Sequence, residues 1–140
     1  MTRLFRTLIY ISFAGYLSIL FYLLFFSAYR NGVRGELNYN VIPFATIAGY
    51  FKGFQRMSPT DQFAGNILAF IPFGVFLSFL LQKWANTLRI AALSFSLSML
   101  AELAQITFRI GAFDVDDLLL NTLGGIIGYL LMKRGLTLTP

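Results

Sequence analysis

The chain has 140 residues, of which 57% are hydrophobic and 12% charged, and its net charge is +5. It contains no histidine and no cysteine, which excludes disulfides, thiolate chemistry and every catalytic arrangement that needs a histidine base. Its basic residues lie at the ends of apolar runs rather than in one stripe, so anionic lipid headgroups suit them better than nucleic acid. We therefore expect a single membrane domain over residues 1–140.

Four apolar runs, at residues 7–27, 63–81, 90–108 and 118–132, are predicted to cross a bilayer as helices. The first is about 31 Å long as a helix, too long for the apolar part of a signal peptide, so we expect an uncleaved anchor. The fourth is only about 22 Å long, which predicts local thinning of the bilayer or acidic residues drawn into a polar cleft. The predicted fold is all-α and polytopic.

The connection between the first two runs contains a candidate interfacial helix. Its apolar positions recur at helical spacing, and its polar positions take the other side. The apolar set is Ile47, Tyr50, Phe51 and Phe54, and the polar set is Lys52, Gln55 and Arg56. Pro43 is expected to form the turn that precedes this helix. Pro72 is expected to kink the second membrane helix, because proline removes one backbone hydrogen bond.

Two polar stripes mark the third and fourth runs and are expected to face each other across a short turn. The first consists of Ser94, Ser98, Glu102, Gln105 and Arg109, and the second of Asp117, Asn121, Gly124 and Gly128. A lone carboxylate in hydrocarbon is costly, so Glu102 should be protonated, paired or open to water. Asn66, in the second run, also needs a partner, and the candidates are Glu102, Asn121 and Asp117. The spacing of Gly124 and Gly128 predicts close packing against another helix.

Three acidic residues, Asp114, Asp116 and Asp117, lie just before the fourth run. Capping of the helix N-terminus explains one or two of them, because carboxylates accept from the free N–H groups of a first turn. The alternative is a site for a hard divalent cation, although a lone acidic cluster is a weak signature for a metal.

The balance of basic residues near the spans favours a topology with both termini in the cytoplasm. The inner set is Arg3, Arg6, Lys83, Arg89, Lys133 and Arg134, against Arg30, Arg34, Lys52, Arg56 and Arg109 outside. Arg30 and Arg34 are interpreted either as interfacial anchors or as phosphate ligands. In this topology the polar stripes and the interfacial helix meet at the external leaflet.

Four short blocks of sequence resemble the signature of the VanZ-like membrane proteins, in family order. The first two are Asn40-x-x-Pro43-Phe44-x-x-Ile47 and Asn66-x-x-x-Phe70-x-Pro72-Phe73-Gly74. The third is Glu102-x-x-Gln105-x-x-x-Arg109, and the fourth runs from Asp114-x-Asp116-Asp117-x-x-x-Asn121 through Gly124-Gly125-x-x-Gly128-Tyr129. The resemblance implies a bacterial multi-pass protein of the cytoplasmic membrane that lowers susceptibility to lipoglycopeptide antibiotics such as teicoplanin.

Three classes of function follow. The first is binding of a lipid headgroup, a lipid-linked wall precursor or the drug itself in an outward-facing polar cleft. Its predicted binding residues are Arg30, Asn66, Glu102, Gln105, Arg109, Asp114, Asp116, Asp117 and Asn121. The second is a lipid-modifying enzyme with Glu102 or Asp117 as general acid or base and a divalent cation on the aspartates. The third is a structural envelope subunit.

Binding is favoured over catalysis because the sequence shows no nucleophile with an adjacent base. The expected partners are membrane lipids and either a lipoglycopeptide or a lipid-linked wall precursor, without nucleic acid. No cofactor is predicted. The small-residue faces suit either a dimer or a compact monomer.

Overall fold

The computed structural model describes residues 2–26, 39–51 and 59–137. Its long helices are α1 (Arg3–Phe26), α3 (Pro59–Leu81), α4 (Thr87–Thr107) and α5 (Val115–Thr137), and a short helix α2 covers Ala45–Phe51. Two-residue strands β1 (Tyr39–Asn40) and β2 (Phe113–Asp114) pair in parallel, with Tyr39 opposite Phe113 and Asn40 opposite Asp114. The four long helices are each apolar and long enough to cross a membrane. The predicted all-α polytopic membrane fold is therefore confirmed.

The fourth membrane helix is longer than the sequence pattern predicts. α5 has 23 residues, about 34 Å at the usual helical rise, so the helix extends beyond the apolar run at both ends, and a short crossing stays a prediction. The apolar run was counted from residue 118, but Asp116 and Asp117 already lie in the first turn of the helix. Carboxylates are favourable there because they face the positive end of the helix dipole.

α2 begins directly after the turn that Pro43 was expected to form. All three residues of the polar face predicted for this helix, together with Phe54, lie outside the described residues, so its amphipathic character stays a prediction. Pro72 lies inside α3 without ending it, and the kink expected there also stays a prediction.

α5 occupies the centre of the bundle and packs against both α3 and α4. Small residues allow this close approach. A Cβ built on Gly128 would lie 2.0 Å from the carbonyl oxygen of Ile71, and one built on Gly74 would lie 1.9 Å from that of Gly125. On the other side of α5, a Cβ on Gly125 would lie 2.0 Å from Ser94 Oγ. The predicted close packing at Gly124 and Gly128 is therefore between α5 and α3, whose backbones are in direct contact there.

α1 lies at the edge of the bundle and rests on α3. The Phe13 ring packs against Phe73 and Phe76 at centroid distances of 6.1 and 5.3 Å, and Tyr16 Oη donates to the carbonyl of Ala69 at 2.7 Å. Many large apolar side chains on the outer faces of the helices are exposed, as expected for surfaces that face lipid. The C-terminal ends of α1 and α4 and the N-terminal ends of α3 and α5 lie together at one end of the bundle.

Candidate functional site

Asp114, the last residue of β2 before α5, holds residues 39–51, here called the β1–α2 segment, by side-chain hydrogen bonds. Asn40 Nδ2 donates to Asp114 Oδ1 at 3.0 Å, and Thr46 Oγ1 donates to Asp114 Oδ2 at 2.6 Å. The backbone N–H of Asp116 also donates to Asp114 Oδ1, at 2.9 Å. The last of these bonds is a local cap of the helix, as the sequence predicts, whereas the first two connect residues about seventy positions apart.

Asp116 makes the same connection through the backbone. Its two carboxylate oxygens accept from the N–H groups of Phe44 at 2.6 Å and Ile47 at 3.0 Å, and its side chain is fully buried. Phe44 has a φ of 67°, a left-handed conformation that is unfavourable for an aromatic residue. The bond from its own N–H to Asp116 helps to stabilise that conformation. Asp116 thus binds the C-terminal end of the turn predicted at Pro43 and the first turn of α2.

Asn66 binds Asp117, one of the three partners expected for it. Asn66 Nδ2 donates to Asp117 Oδ1, and Asp117 is only 4% exposed. The bond joins the first half of α3 to the first turn of α5, close to the point where glycines bring the two backbones together.

Glu102 lies at the far side of the same cluster. Its Oε2 accepts from the backbone N–H of Asp114 at 3.0 Å, and the side chain is 1% exposed. One turn earlier on α4, Ser98 Oγ accepts from Asn121 Nδ2 of α5 at 2.8 Å. The two predicted polar stripes therefore do meet between α4 and α5. They do not meet as whole faces, because Asp117, Gly124 and Gly128 contact α3 instead.

Gln105 caps the end of α1. Its Nε2 donates to the carbonyl of Leu24 at 2.9 Å, and its side chain is fully buried. The carbonyl of Leu24 lies in the last turn of α1, where backbone acceptors lack partners within the helix. The polar stripe of α4 does not predict this partner, so the role of Gln105 as a link to the first helix is a finding of the tertiary structure.

Arg109 does not extend the polar stripe of α4. The helix ends at Thr107, Arg109 adopts a φ of 54°, and its side chain is exposed. The helical stripe therefore consists of Ser94, Ser98, Glu102 and Gln105. The periodicity argument failed at Arg109 because a helical period continues in the sequence past the point where the backbone leaves the helix. Arg30, another predicted binding residue, lies outside the described residues.

The candidate residues form a closed network rather than an open cleft. Glu102, Gln105, Asp116, Asp117 and Asn121 are all at least 96% buried, while Asn66 and Asp114 are partly buried. A buried polar group must be hydrogen-bonded to be stable, which the bonds described above achieve for most of these atoms. Within residues 2–26, 39–51 and 59–137, the protein's own groups therefore occupy the space where the sequence predicts an outward-facing polar cleft. We call this cluster, with Asn40 and Thr46, the motif network.

The three aspartates do not converge on a common point. Asp114 and Asp116 accept from residues of the β1–α2 segment, and Asp117 accepts from α3. Among residues 2–26, 39–51 and 59–137, no three acidic side chains are grouped so that they could hold a metal ion. Asp114 caps α5 through the N–H of Asp116, as the capping interpretation predicts, whereas the carboxylate of Asp116 binds the β1–α2 segment instead.

Sequence reasoning missed three contributions to the network. Thr46 carries no signal of its own, and β1 and β2 are too short to produce an alternating pattern. Asn40 stands in the first motif block, but only the fold shows that it binds the fourth. All three are non-local contacts, which periodicity does not report.

The bond between Asn66 and Asp117 can be tested by exchanging its partners. Asn66→Asp should replace the donor of this bond with a second carboxylate and lower the thermal stability of the detergent-purified protein by about 2–3 kcal/mol, because the bond is lost and the two carboxylates repel each other. The double variant Asn66→Asp with Asp117→Asn restores one donor and one acceptor, so it should recover much of the loss. Additive destabilisation in the double variant would show that the two side chains do not interact.

Comparison with known proteins agrees with the motif blocks. The VanZ/LLP1 family model matches residues 13–137. The chain is 32% identical to Protein VanZ of Enterococcus faecium over 99 residues, which cover 66% of this chain and 59% of that protein. No solved structure matches the chain significantly. Because the family model covers most of the sequence, including all four blocks that build the motif network, the chain belongs to the VanZ/LLP1 family.

Proposed function

We propose that this protein lowers the susceptibility of a bacterium to lipoglycopeptide antibiotics such as teicoplanin, acting in the cytoplasmic membrane with both termini inside. The proposal is supported by membership of the VanZ/LLP1 family and by the similarity to Protein VanZ. With this orientation, the motif network lies at the external ends of the four long helices, where such an antibiotic or its target would be met.

The observation that carries the proposal is that the motif residues of separate blocks bind one another. The first block binds the fourth through Asp114 and Asp116, the second binds it through Asp117, and the third binds it through Glu102. Residues from four separate blocks of the sequence thus form one hydrogen-bonded cluster at one end of the bundle. Its effect is to hold the β1–α2 segment in a fixed position.

That segment presents apolar side chains to its surroundings. Tyr39, Val41, Ile42 and Phe44 are each more than 60% exposed, and the exposed Arg109 lies at the same end of the bundle. Exposed apolar groups beside a cation suit a lipid headgroup, a lipid-linked wall precursor or the membrane-inserted end of the drug, since the arginine can bind phosphate or carboxylate. We propose that these exposed apolar side chains and Arg109 form the binding surface. The motif network holds the backbone of that surface in position.

The proposed function is tested by measuring the inhibitory concentration of teicoplanin in a sensitive Gram-positive host that expresses the protein. Wild type should raise it severalfold, whereas Arg109→Gln should remove most of the protection because a neutral amide does not bind an anion as a guanidinium does. Glu102→Gln and Asp117→Asn each keep one acceptor oxygen but remove a negative charge. They therefore test whether protection depends on the charges within the network. Membrane abundance of each variant is compared by blot.

Vancomycin, which lacks a lipid tail, is the control antibiotic. Protection by wild type against teicoplanin but not vancomycin, lost in equally abundant Arg109→Gln, would support the proposal. Lack of protection by abundant wild-type protein would remove the resistance function. Unchanged protection in Arg109→Gln would remove the proposed binding role of this cation.

Burial of the network also favours a second candidate, a structural envelope subunit. Its polar groups would only lock the helices together, and hydrogen bonds between helices tolerate an exchange of acid for amide. Full activity of Glu102→Gln and Asp117→Asn in the teicoplanin assay would agree with a purely structural network. A lipid-modifying enzyme has less support, because Asp114 and Asp116 are occupied by donors of the β1–α2 segment.

A further inference from the structure

An apolar groove lies between the second half of α1 and the middle of α4. Its volume is about 290 Å³, and all of its lining residues are leucine, phenylalanine or alanine. Leu17, Leu20 and Phe25 form one wall, and Leu97, Leu100 and Ala101 form the other. The groove has no polar lining residue, so it has nothing with which to hold a headgroup or an ordered water.

The groove lies between two places at which α1 is attached to the bundle. Phe13 and Tyr16 pack on α3 in the first half of the helix, and Gln105 of α4 binds the carbonyl of Leu24 near its end. Between these attachments α1 does not close against α4. The Gln105 bond therefore marks the end of the groove nearest the motif network.

The exposed side chains beside the groove indicate which kind of molecule can fill it. Phe21 and Leu100, which belong to opposite walls, are 55% and 65% exposed. Both helices are long and apolar enough to cross a membrane, so side chains exposed to this extent face hydrocarbon. An empty groove would forfeit the dispersion contacts of its lining, and the neighbouring lipid chains can supply them.

We propose that this groove binds one acyl chain of a bilayer phospholipid, in the leaflet at the end of the motif network. From Leu17 to Phe25 it extends about 12 Å along α1. Its volume is about ten times the ~30 Å³ share of a water molecule in the liquid, enough for part of one chain and too small for a second. The proposal goes beyond the proposed function and does not depend on it, since the ligand is a component of the membrane itself.

The test is native mass spectrometry of the full-length protein, purified in detergent and supplied with palmitoyl-oleoyl-phosphatidylglycerol. Two variants fill the groove from opposite walls, Leu17→Trp from α1 and Ala101→Leu from α4. Each has a control with the same new side chain at an exposed position of the same helix, Ile19→Trp and Ala92→Leu. Circular dichroism and gel filtration verify that each variant keeps its helices and its size.

Wild type and both controls should retain one phospholipid at collision energies that remove the other bound lipids. In the groove-filling variants, retention should fall by about tenfold. Absence of a retained lipid on wild type overturns the proposal, and so does equal retention in a well-folded groove-filling variant. If wild type retains no lipid and is a dimer that the groove-filling variants dissociate, the groove is instead an interface between two copies.

Discussion

Replacing Asp116 with asparagine is expected to destabilise the protein more than replacing Asp114, although the two residues lie two positions apart. Both oxygens of Asp116 accept from backbone N–H groups, those of Phe44 and Ile47, and a backbone N–H cannot act as an acceptor. An asparagine there would turn its NH₂ group toward one of these donors. One buried donor would lose its partner, at a cost of about 2–3 kcal/mol.

Asp114→Asn is the matched comparison, because one oxygen of Asp114 accepts from the hydroxyl of Thr46. A hydroxyl can accept as well as donate, so an asparagine can reverse this bond while its remaining oxygen serves Asn40 and the N–H of Asp116. We expect a loss of about 1 kcal/mol. Thermal unfolding in detergent gives the stabilities, and amide hydrogen exchange in residues 39–51 shows whether the segment is released. Equal effects of the two variants would contradict the assigned partners.

Replacing Gly128 with alanine is expected to disrupt the packing of α5 on α3. The added Cβ would lie 2.0 Å from the carbonyl oxygen of Ile71 and 3.0 Å from the backbone nitrogen of Val75. These are backbone atoms of a helix and cannot move aside as a flexible side chain would. The helices would have to separate, at a cost of about 1–3 kcal/mol or more, and the Asn66–Asp117 bond across the same interface would weaken with them.

Gly65→Ala provides the control, because Gly65 lies on α3 and a Cβ there meets nothing within 4 Å. Alanine has the higher helix propensity, so this variant should be neutral or slightly more stable. We would compare the two variants in thermal stability and in the fraction of protein recovered as a monodisperse species. The difference between them gives the effect of the contact between α5 and α3 at Gly128. Gly128→Ala with the stability of Gly65→Ala would show that the helices do not touch there.

Together these contacts explain why polar residues persist in a chain that is otherwise so apolar. Asp114 and Asp116 hold the β1–α2 segment, and Asp117 and Gln105 each join a different pair of helices. An unpaired polar group in hydrocarbon is costly, so each such bond also disfavours alternative arrangements of the helices. The network stabilises one arrangement of this end of the bundle, and the proposed binding surface depends on that arrangement.

The sequence by itself determined the class of fold, the number of membrane helices and the identity of most network residues. These properties depend on local patterns: the length of an apolar run, the spacing of Ser94, Ser98, Glu102 and Gln105 on one helical face, and the acidic residues at the start of α5. Each can be read within a window of about twenty residues. The observed partner of Asn66, Asp117, was also among the three residues proposed for it.

The tertiary structure alone decided which polar group binds which, and whether the site is open. Asp114 has a partner 74 positions away in Asn40, and Gln105 has one 81 positions away at Leu24. Periodicity shows which way a side chain points but not which other segment lies there, because that depends on how the helices pack. For the same reason the sequence predicted an outward polar cleft, whereas packing filled that space with the protein's own hydrogen-bonding groups.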